Sequence, residues 1–312
     1  MKLVLLDRKT LGDDLDLRSL KKFGDLDIFE TTTANETANR VKDADIIISN
    51  KVIINRQIME QAKNLRLICI AATGTNNVDL EAADELGISV KNVSGYSTQS
   101  VAQHTFALLL ALGEQICFYD KVVKDGIWSK GDIFTDLSRP FFEIAGKEWG
   151  IIGMGNIGQE VAKIATAFGA DISYYSTSGK NGGQGYKQKS LDELLVESDI
   201  VSIHAPLNER TDNLIHQDNL PLLKEKAILL NLGRGGIINE HDLAVEMNRR
   251  EIYAGLDVTA TEPIEALNPL LHINNPDRLL LTPHIAWSSK EARVKLLDGI
   301  VDNMQTFIKE KD

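Results

Sequence analysis

Short apolar runs alternate with charged, amphipathic stretches from the first residue of this chain. "KLVLLD" (2–7), "LDIFET" (26–31), "DIIISN" (45–50), "LRLICIAA" (65–72) and "ISVKNV" (88–93) predict five strands. Charged stretches near 14–22, 35–43, 55–63 and 80–86 predict helices between them. Strands that are apolar on both faces and spaced by helices indicate a parallel sheet covered on both sides.

The pattern changes at Ser97. "STQSVAQHTFALLLALGEQICFYDKVVKDG" is too long for another crossover and predicts a helix over about 97–124 that leads into a second unit. Alternation then restarts with "EWGIIG" (148–153), "DISYYS" (171–176), "DIVSIHAP" (199–206), "AILLNLG" (227–233), "IYAGLDV" (252–258) and "RLLLTP" (278–283). Helices are predicted over 157–168, 190–197, near 216–223 and over 240–249. Six strands in this order suit a dinucleotide-binding sheet. The last helix, 288–308, has no sheet of its own to cover and is expected to return to the first unit.

Composition narrows the function classes. The net charge is −11, from 34 basic and 45 acidic residues, with no dense Lys/Arg block, so neither nucleic acid nor an anionic membrane is an expected partner. The N-terminal run ends at Asp7 and is too short for a signal peptide or a membrane span. Cys69 and Cys117 sit in apolar runs and read as buried thiols in a reducing cytoplasm. No Cys/His cluster has metal-ligand spacing, so no metal is expected.

The chemistry-bearing residues lie in the second unit. Gly153, Gly155 and Gly158 of "GMGNIG" follow an apolar strand and open a helix. This is the context in which the pattern places a pyrophosphate on a helix N-terminus. An NAD-selective site usually puts an acid at the end of the next strand, but here that position is Ser176, followed by Thr177 and Ser178. No carboxylate repels a 2′-phosphate there and three hydroxyls can donate to one, so NADP use is expected, with Lys180 the nearby cation; a solvated loop of indifferent selectivity is the alternative. Arg234 in "GRGG", with a guanidinium the flanking glycines would leave unobstructed, Glu262 beyond "GLDV" and His284 after "LLLTP" all follow predicted strands. An Arg to bind an acidic substrate, a His to move a proton and a carboxylate to hold that His suggest carbonyl/alcohol redox chemistry. By spacing alone, a helix-capping Arg234 and a turn histidine at 284 remain open.

Together "GMGNIG", "NLGRGGIINE", "GLDV" followed by Glu262-Pro263, and "TPHIAW" resemble the D-isomer-specific 2-hydroxyacid dehydrogenases over nearly the whole chain. "AATGTNNVD", "NVSGYSTQSVAQHTFALLLAL" and "HIAWSS" are most similar to the glycerate dehydrogenase/hydroxypyruvate reductase branch. The resemblance implies a flavodoxin-like substrate domain (1–99 and 288–312) and a Rossmann doubly wound parallel-sheet cofactor domain (100–287), with catalysis in the cleft between them. It makes Arg234 the substrate-binding residue, His284 the acid/base and Glu262 the group that keeps His284 charged. Thr73, Gly74 and Thr75 match the loop whose backbone N–H groups bind the substrate carboxylate, and Asp257 matches the residue that contacts the nicotinamide carboxamide.

The expected cofactor surface comprises Gly153, Gly155, Asn156, Ile157, Gly158, Ser176, Thr177, Ser178, His204, Ala205, Pro206, Leu232, Gly233, Arg234, Asp257, His284 and Ala286. Trp287 is a candidate wall of the substrate pocket, with simple packing as the alternative. His104 reads as a packed helix histidine. The implied reaction is NAD(P)-dependent reduction of a small 2-oxo acid, of the hydroxypyruvate/glyoxylate class, by a cytoplasmic homodimer. Phosphoglycerate, D-lactate and formate dehydrogenases are rivals within the family, the first disfavoured by the lack of an extra domain after residue 312. A nicotinamide sensor resembling the C-terminal binding protein corepressors is the rival outside catalysis.

Overall fold

The structure is a computed structural model that describes residues 1–179 and 185–310; Lys180 lies outside them. The chain separates into two compact units, Met1–Ser97 with Ser288–Asp312, and Thr98–Trp287.

The first unit is a five-stranded parallel sheet in the order β2-β1-β3-β4-β5, formed by Lys2–Leu5, Asp25–Ile28, Ile46–Ser49, Leu67–Ile70 and Ser89–Asn92. Every residue of β3 and β4 is buried, which is why these strands read as unbroken apolar runs. Successive side chains point to opposite faces. Val4, Ile47, Ile68 and Ile70 join one core with Val41, Met59, Ala82 and Ala83 from α1 (Ala34–Val41), α2 (Arg56–Gln61) and α3 (Leu80–Glu85). The last helix of the chain, α9 (Lys290–Lys309), packs on β4 and β5. The expected helix near 14–22 is instead a 3-10 segment, Leu17–Phe23.

The second unit holds seven parallel strands in the order β12-β11-β10-β9-β6-β7-β8. They are Glu148–Ile152 (β6), Asp171–Tyr175 (β7), Lys187–Gln188 (β8), Ile200–Ile203 (β9), Ile228–Asn231 (β10), Tyr253–Leu256 (β11) and Leu279–Leu281 (β12). The order reverses between β6 and β9, the switch point at which doubly wound sheets bind ligands. The sheet has one strand more than the sequence suggests. β8 is two residues long with both side chains exposed, so it carries no apolar run to announce it.

Two helix expectations are corrected here. The predicted 97–124 helix is two helices, α4 (Thr98–Gly113) and α5 (Ile116–Lys124), broken at Gln115, whose φ is 55°. The break gives α4 and α5 separate surroundings. α4 buries seven side chains and α5 only Val122, so Cys117 is exposed whereas Cys69 is buried. Near 216–223 there is only a 3-10 turn, Leu220–Leu222. Helices do form as α6 (Asn156–Ala167), α7 (Leu191–Glu197) and α8 (Glu240–Arg249). Among the described residues no helix is long and apolar enough to cross a membrane.

Candidate active site

The three glycines of "GMGNIG" have three distinct surroundings. Gly153 follows β6 with φ of 95°, in the left-handed region that L side chains rarely adopt, and a Cβ there would meet the backbone of His204 and Ala205 at 2.9–3.0 Å. A Cβ on Gly158 would lie 2.2 Å from the Gly153 carbonyl oxygen, so this residue lets α6 pack against the turn. Gly155, the N-cap of α6, has nothing within 4 Å of the position a Cβ would take. Packing does not demand a glycine there. The open space lies at the start of α6, and the first turn of a helix has N–H groups without intrahelical partners that suit an anion.

The groove at this switch point is lined by Gly153, Met154, Gly155, Ser176, Thr177, Ser178, His204, Ala205, Pro206, Asn208, Glu209 and Arg210. The structure thus brings together residues named from three separate stretches of sequence. Ser176 Oγ accepts the Gly179 N–H at 3.1 Å, which leaves the hydroxyl proton for another acceptor. Arg210 and its neighbours Asn208 and Glu209 were not anticipated. They belong to a loop whose shape is set by the buried Thr211, which donates to the Pro206 carbonyl at 2.6 Å. No motif marks such a loop, so only folding reveals that Arg210 and Glu209 line the same groove as Ser176–Ser178.

His204 is neither catalytic in placement nor polar in effect. Both ring nitrogens are buried without a hydrogen-bond partner among the described residues, and burial pushes its pKa down to about 3. The ring is a neutral wall of the groove.

Arg234, Glu262 and His284 follow β10, β11 and β12, three neighbouring strands, and so arise on one edge of the sheet. The Asn231 side chain braces the Arg234 loop, accepting from Gly233 N–H at 3.0 Å and donating to the Arg234 carbonyl at 2.9 Å. The flanking glycines serve a purpose other than freeing the guanidinium. A Cβ on Gly233 would lie 2.6 Å from the Ala205 carbonyl oxygen, and one on Gly235 would lie 1.9 Å from that of Thr259. Close backbone contact with the β11 loop requires the glycine at 235. The guanidinium itself donates to the Gly233 carbonyl at 2.8 Å.

Thr259 continues the connection, donating its N–H to Glu262 Oε1 at 3.2 Å. The other carboxylate oxygen stands 2.7 Å from Nδ1 of His284. His284 has φ of 54°, a left-handed conformation that costs a non-glycine residue roughly 1 kcal/mol or more. It is held there by backbone bonds from its N–H to the Asp257 and Thr282 carbonyls, at 2.8 and 2.9 Å. A strained histidine paired with a carboxylate at the open edge of a nucleotide-binding sheet is an arrangement for moving a proton.

The matching sequence profile is that of the "D-isomer specific 2-hydroxyacid dehydrogenase, NAD binding domain", over residues 106–286. The chain belongs to the D-isomer-specific 2-hydroxyacid dehydrogenases. It is 38% identical to a hydroxypyruvate reductase of Blautia hydrogenotrophica, covering 99% of this chain and 97% of that one. It is 36% identical to a glycerate dehydrogenase of Methylorubrum extorquens, covering 99% and 97%. An acyclic imino acid reductase, Bsp5, solved in complex with NADPH and D-Arg, superposes with a TM-score of 0.88 at 30% identity, covering 100% of this chain and 98% of that one. The protein is therefore an oxidoreductase of the CH–OH group with a nicotinamide-nucleotide domain, and the glycine cradle described above fits such a cofactor.

Within that family framework, two expected residues also have partners of their own in the fold. Asp257 is 1% exposed, and its carboxylate accepts from the Thr282 hydroxyl at 2.6 Å and from the Ile285 and Ala286 N–H groups at 2.9 Å each. It binds its own protein before it binds any carboxamide. Trp287 packs against the apolar cluster that contains Val101, Phe106, Trp149 and Ala286. In the first unit, Thr73, Gly74 and Thr75 follow β4. The Thr73 hydroxyl donates to the Val93 carbonyl at 3.2 Å, and Asn92 donates to the Thr73 carbonyl at 2.6 Å. The loop is thus tied at Thr73 to the end of β5.

Proposed function

We propose that the protein reduces a small 2-oxo acid of the hydroxypyruvate/glyoxylate class to the D-2-hydroxy acid. The Glu262–His284 pair, 2.7 Å apart beside the Arg234 loop, is the observation that carries this reading. The names of its relatives supply the substrate class. When bound, the nicotinamide nucleotide supplies the hydride. Arg234 binds the acid's carboxylate and carbonyl oxygens through its planar fork, assisted by the N–H groups of Thr73, Gly74 and Thr75. His284 gives its Nε2 proton to the carbonyl oxygen as the carbonyl carbon is reduced, and Glu262 holds the ring in place through Nδ1. Trp287 borders the substrate.

The α6 N-terminus with Gly153, Gly155, Asn156, Ile157 and Gly158 holds the pyrophosphate. His204, Ala205, Pro206, Leu232, Gly233, Asp257 and Ala286 complete the nucleotide surface. Ser176, Thr177 and Ser178 stand where an NAD site carries an acid and admit the 2′-phosphate of NADP, with Arg210 and Glu209 lining the same groove. A homodimer is the proposed assembly. Ile133, Phe134, Leu137 and Phe141 are 65%, 89%, 76% and 56% exposed within one stretch of the second unit, more apolar surface than a monomer usually leaves bare.

The test is turnover of NADH and NADPH with hydroxypyruvate, glyoxylate, pyruvate and 3-phosphohydroxypyruvate. Fastest turnover with the first two supports the reading. Nucleotide binding without turnover of any would replace it with a sensing role.

A further inference from the structure

His104 is the one histidine near this chemistry that the mechanism leaves unused, and its surroundings are specific. It lies on α4, one helical turn before Leu108 and so on the same face. That face packs on β11, where a Cβ at Gly255 would meet Leu108 Cβ at 3.2 Å. His104 Nε2 lies 3.0 Å from Thr282 Oγ1 and 3.7 Å from Asp257 Oδ1.

Proton counting orients this chain of bonds. A hydroxyl has a single proton to donate. Thr282 gives it to Asp257 Oδ1 at 2.6 Å, so the His104–Thr282 bond requires His104 Nε2 to carry a hydrogen and donate. The run is therefore His104 Nε2–H to Thr282 Oγ1–H to Asp257 Oδ1, with Asp257 also accepting the Ile285 and Ala286 amides. Those two amides belong to the residues directly after His284. The left-handed turn at His284 is thus fixed by a buried carboxylate, which is fixed in turn by Thr282 and His104.

We propose that His104 is a positioning residue for His284, acting through Thr282 and Asp257 to hold residues 284–286 in the turn that presents the imidazole. The proposal rests on His284 being the acid/base. His104 has no contact with the reacting atoms in this role. It aims His284, and displacement of a reacting group by about 1 Å can lower rates by roughly 100-fold.

The experiment compares paired variants in hydroxypyruvate reduction, with His284→Gln alongside. His104→Phe and Thr282→Val break the chain without changing shape greatly. His104→Gln keeps a side-chain N–H donor, and Thr282→Ser keeps the hydroxyl. Expected is a fall in kcat of about 10- to 100-fold in His104→Phe and Thr282→Val, with KM for both substrates close to the parent's and melting temperature largely retained. His104→Gln and Thr282→Ser should recover most of the lost kcat. Parent-like kcat in both His104→Phe and Thr282→Val, beside an inactive His284→Gln, overturns the positioning role alone. A His284→Gln variant that turns over at the parent rate overturns the acid/base reading and the proposal with it. Should His104→Phe fail to fold, the Thr282 pair decides by the same criteria.

Discussion

The Glu262 carboxylate holds Nδ1 of His284 at 2.7 Å, which leaves Nε2 as the nitrogen that can reach a substrate. With Nδ1 so engaged, the pair is set for donating a proton from Nε2 to a nascent alkoxide. His284→Gln should lose kcat by about 10²- to 10⁴-fold, measured in steady state on folded protein. Near-parent turnover would remove His284 from the mechanism.

Glu262→Gln should lower kcat without abolishing activity. The carboxylate 2.7 Å from Nδ1 becomes a carboxamide, and a neutral hydrogen bond fixes the ring less firmly than a charge-assisted one. A kcat equal to the parent's excludes this role for Glu262.

Arg234→Lys retains charge but loses the fork that binds two oxygens together, so kcat/KM for the 2-oxo acid should fall severely. The braced loop around it, held by Asn231, should be undisturbed, and circular dichroism should show this. An unchanged kcat/KM would make the guanidinium's bond to the Gly233 carbonyl its whole purpose.

Two alanines should separate packing from ligand binding in the glycine turn. Gly158→Ala forces a Cβ to within 2.2 Å of a backbone oxygen and should cost about 1–3 kcal/mol of stability. Gly155→Ala meets nothing and should melt like the parent while binding nucleotide more weakly. Parent-like nucleotide affinity in Gly155→Ala would show that no pyrophosphate approaches there.

Cofactor selectivity is read from kcat/KM with NADH and NADPH. The hydroxyls at 176–178 and the Arg210 guanidinium in one groove should make NADPH a competent substrate, and Arg210→Ala should weaken NADPH more than NADH. Ser176→Asp should turn the preference towards NADH by putting a carboxylate at the strand end, where an NAD site carries one. Discrimination against NADPH by more than about 100-fold in the parent, roughly 2.7 kcal/mol, would mean that the groove excludes phosphate.

His204 should make the protein acid-sensitive. Its folded pKa of about 3 lies below the ordinary 6.5, so between these values the unfolded chain binds a proton that the folded one refuses. Stability attributable to this ring is therefore intact above about pH 6.5 and is lost as pH falls towards 3, by roughly 2–3 kcal/mol at about pH 4.5. Urea titrations of the parent and His204→Leu should show the gap between them shifting by that amount in the variant's favour between about pH 7.5 and about pH 4.5. A constant gap would show that the ring takes up its proton without unfolding.

Much of this protein is legible one residue after another. Buried parallel strands must be apolar on both faces, so β3, β4, β9 and β10 stand out as uninterrupted runs, and the glycine turn after β6 carries its own spacing. Local signals fail where the deciding contact is distant. In "LALGEQICF" the one local signal is Gly113, the last residue of α4; an isolated glycine is tolerated inside a helix, so it does not by itself announce the break at Gln115. β8 has no apolar side chains to show, and exists because β7 offers it an edge. The glycines around Arg234 suggest freedom of the side chain, whereas Gly235 answers to Thr259, 24 positions away in sequence.

The sequence by itself determined the order of elements, the nucleotide turn and the identity of the Arg, Glu and His that follow three consecutive strands. Those follow from period, glycine spacing and strand ends, which are properties of neighbours along the chain. Tertiary structure alone decided which atoms meet. It set the nitrogen of His284 that Glu262 takes, the loss of polarity at His204, the entry of Arg210 into the groove and the bond chain from His104 through Thr282 to Asp257. Each depends on packing distances between residues far apart in sequence, and His104 shows the scale: its bond to Thr282 at 3.0 Å joins residues 178 positions apart.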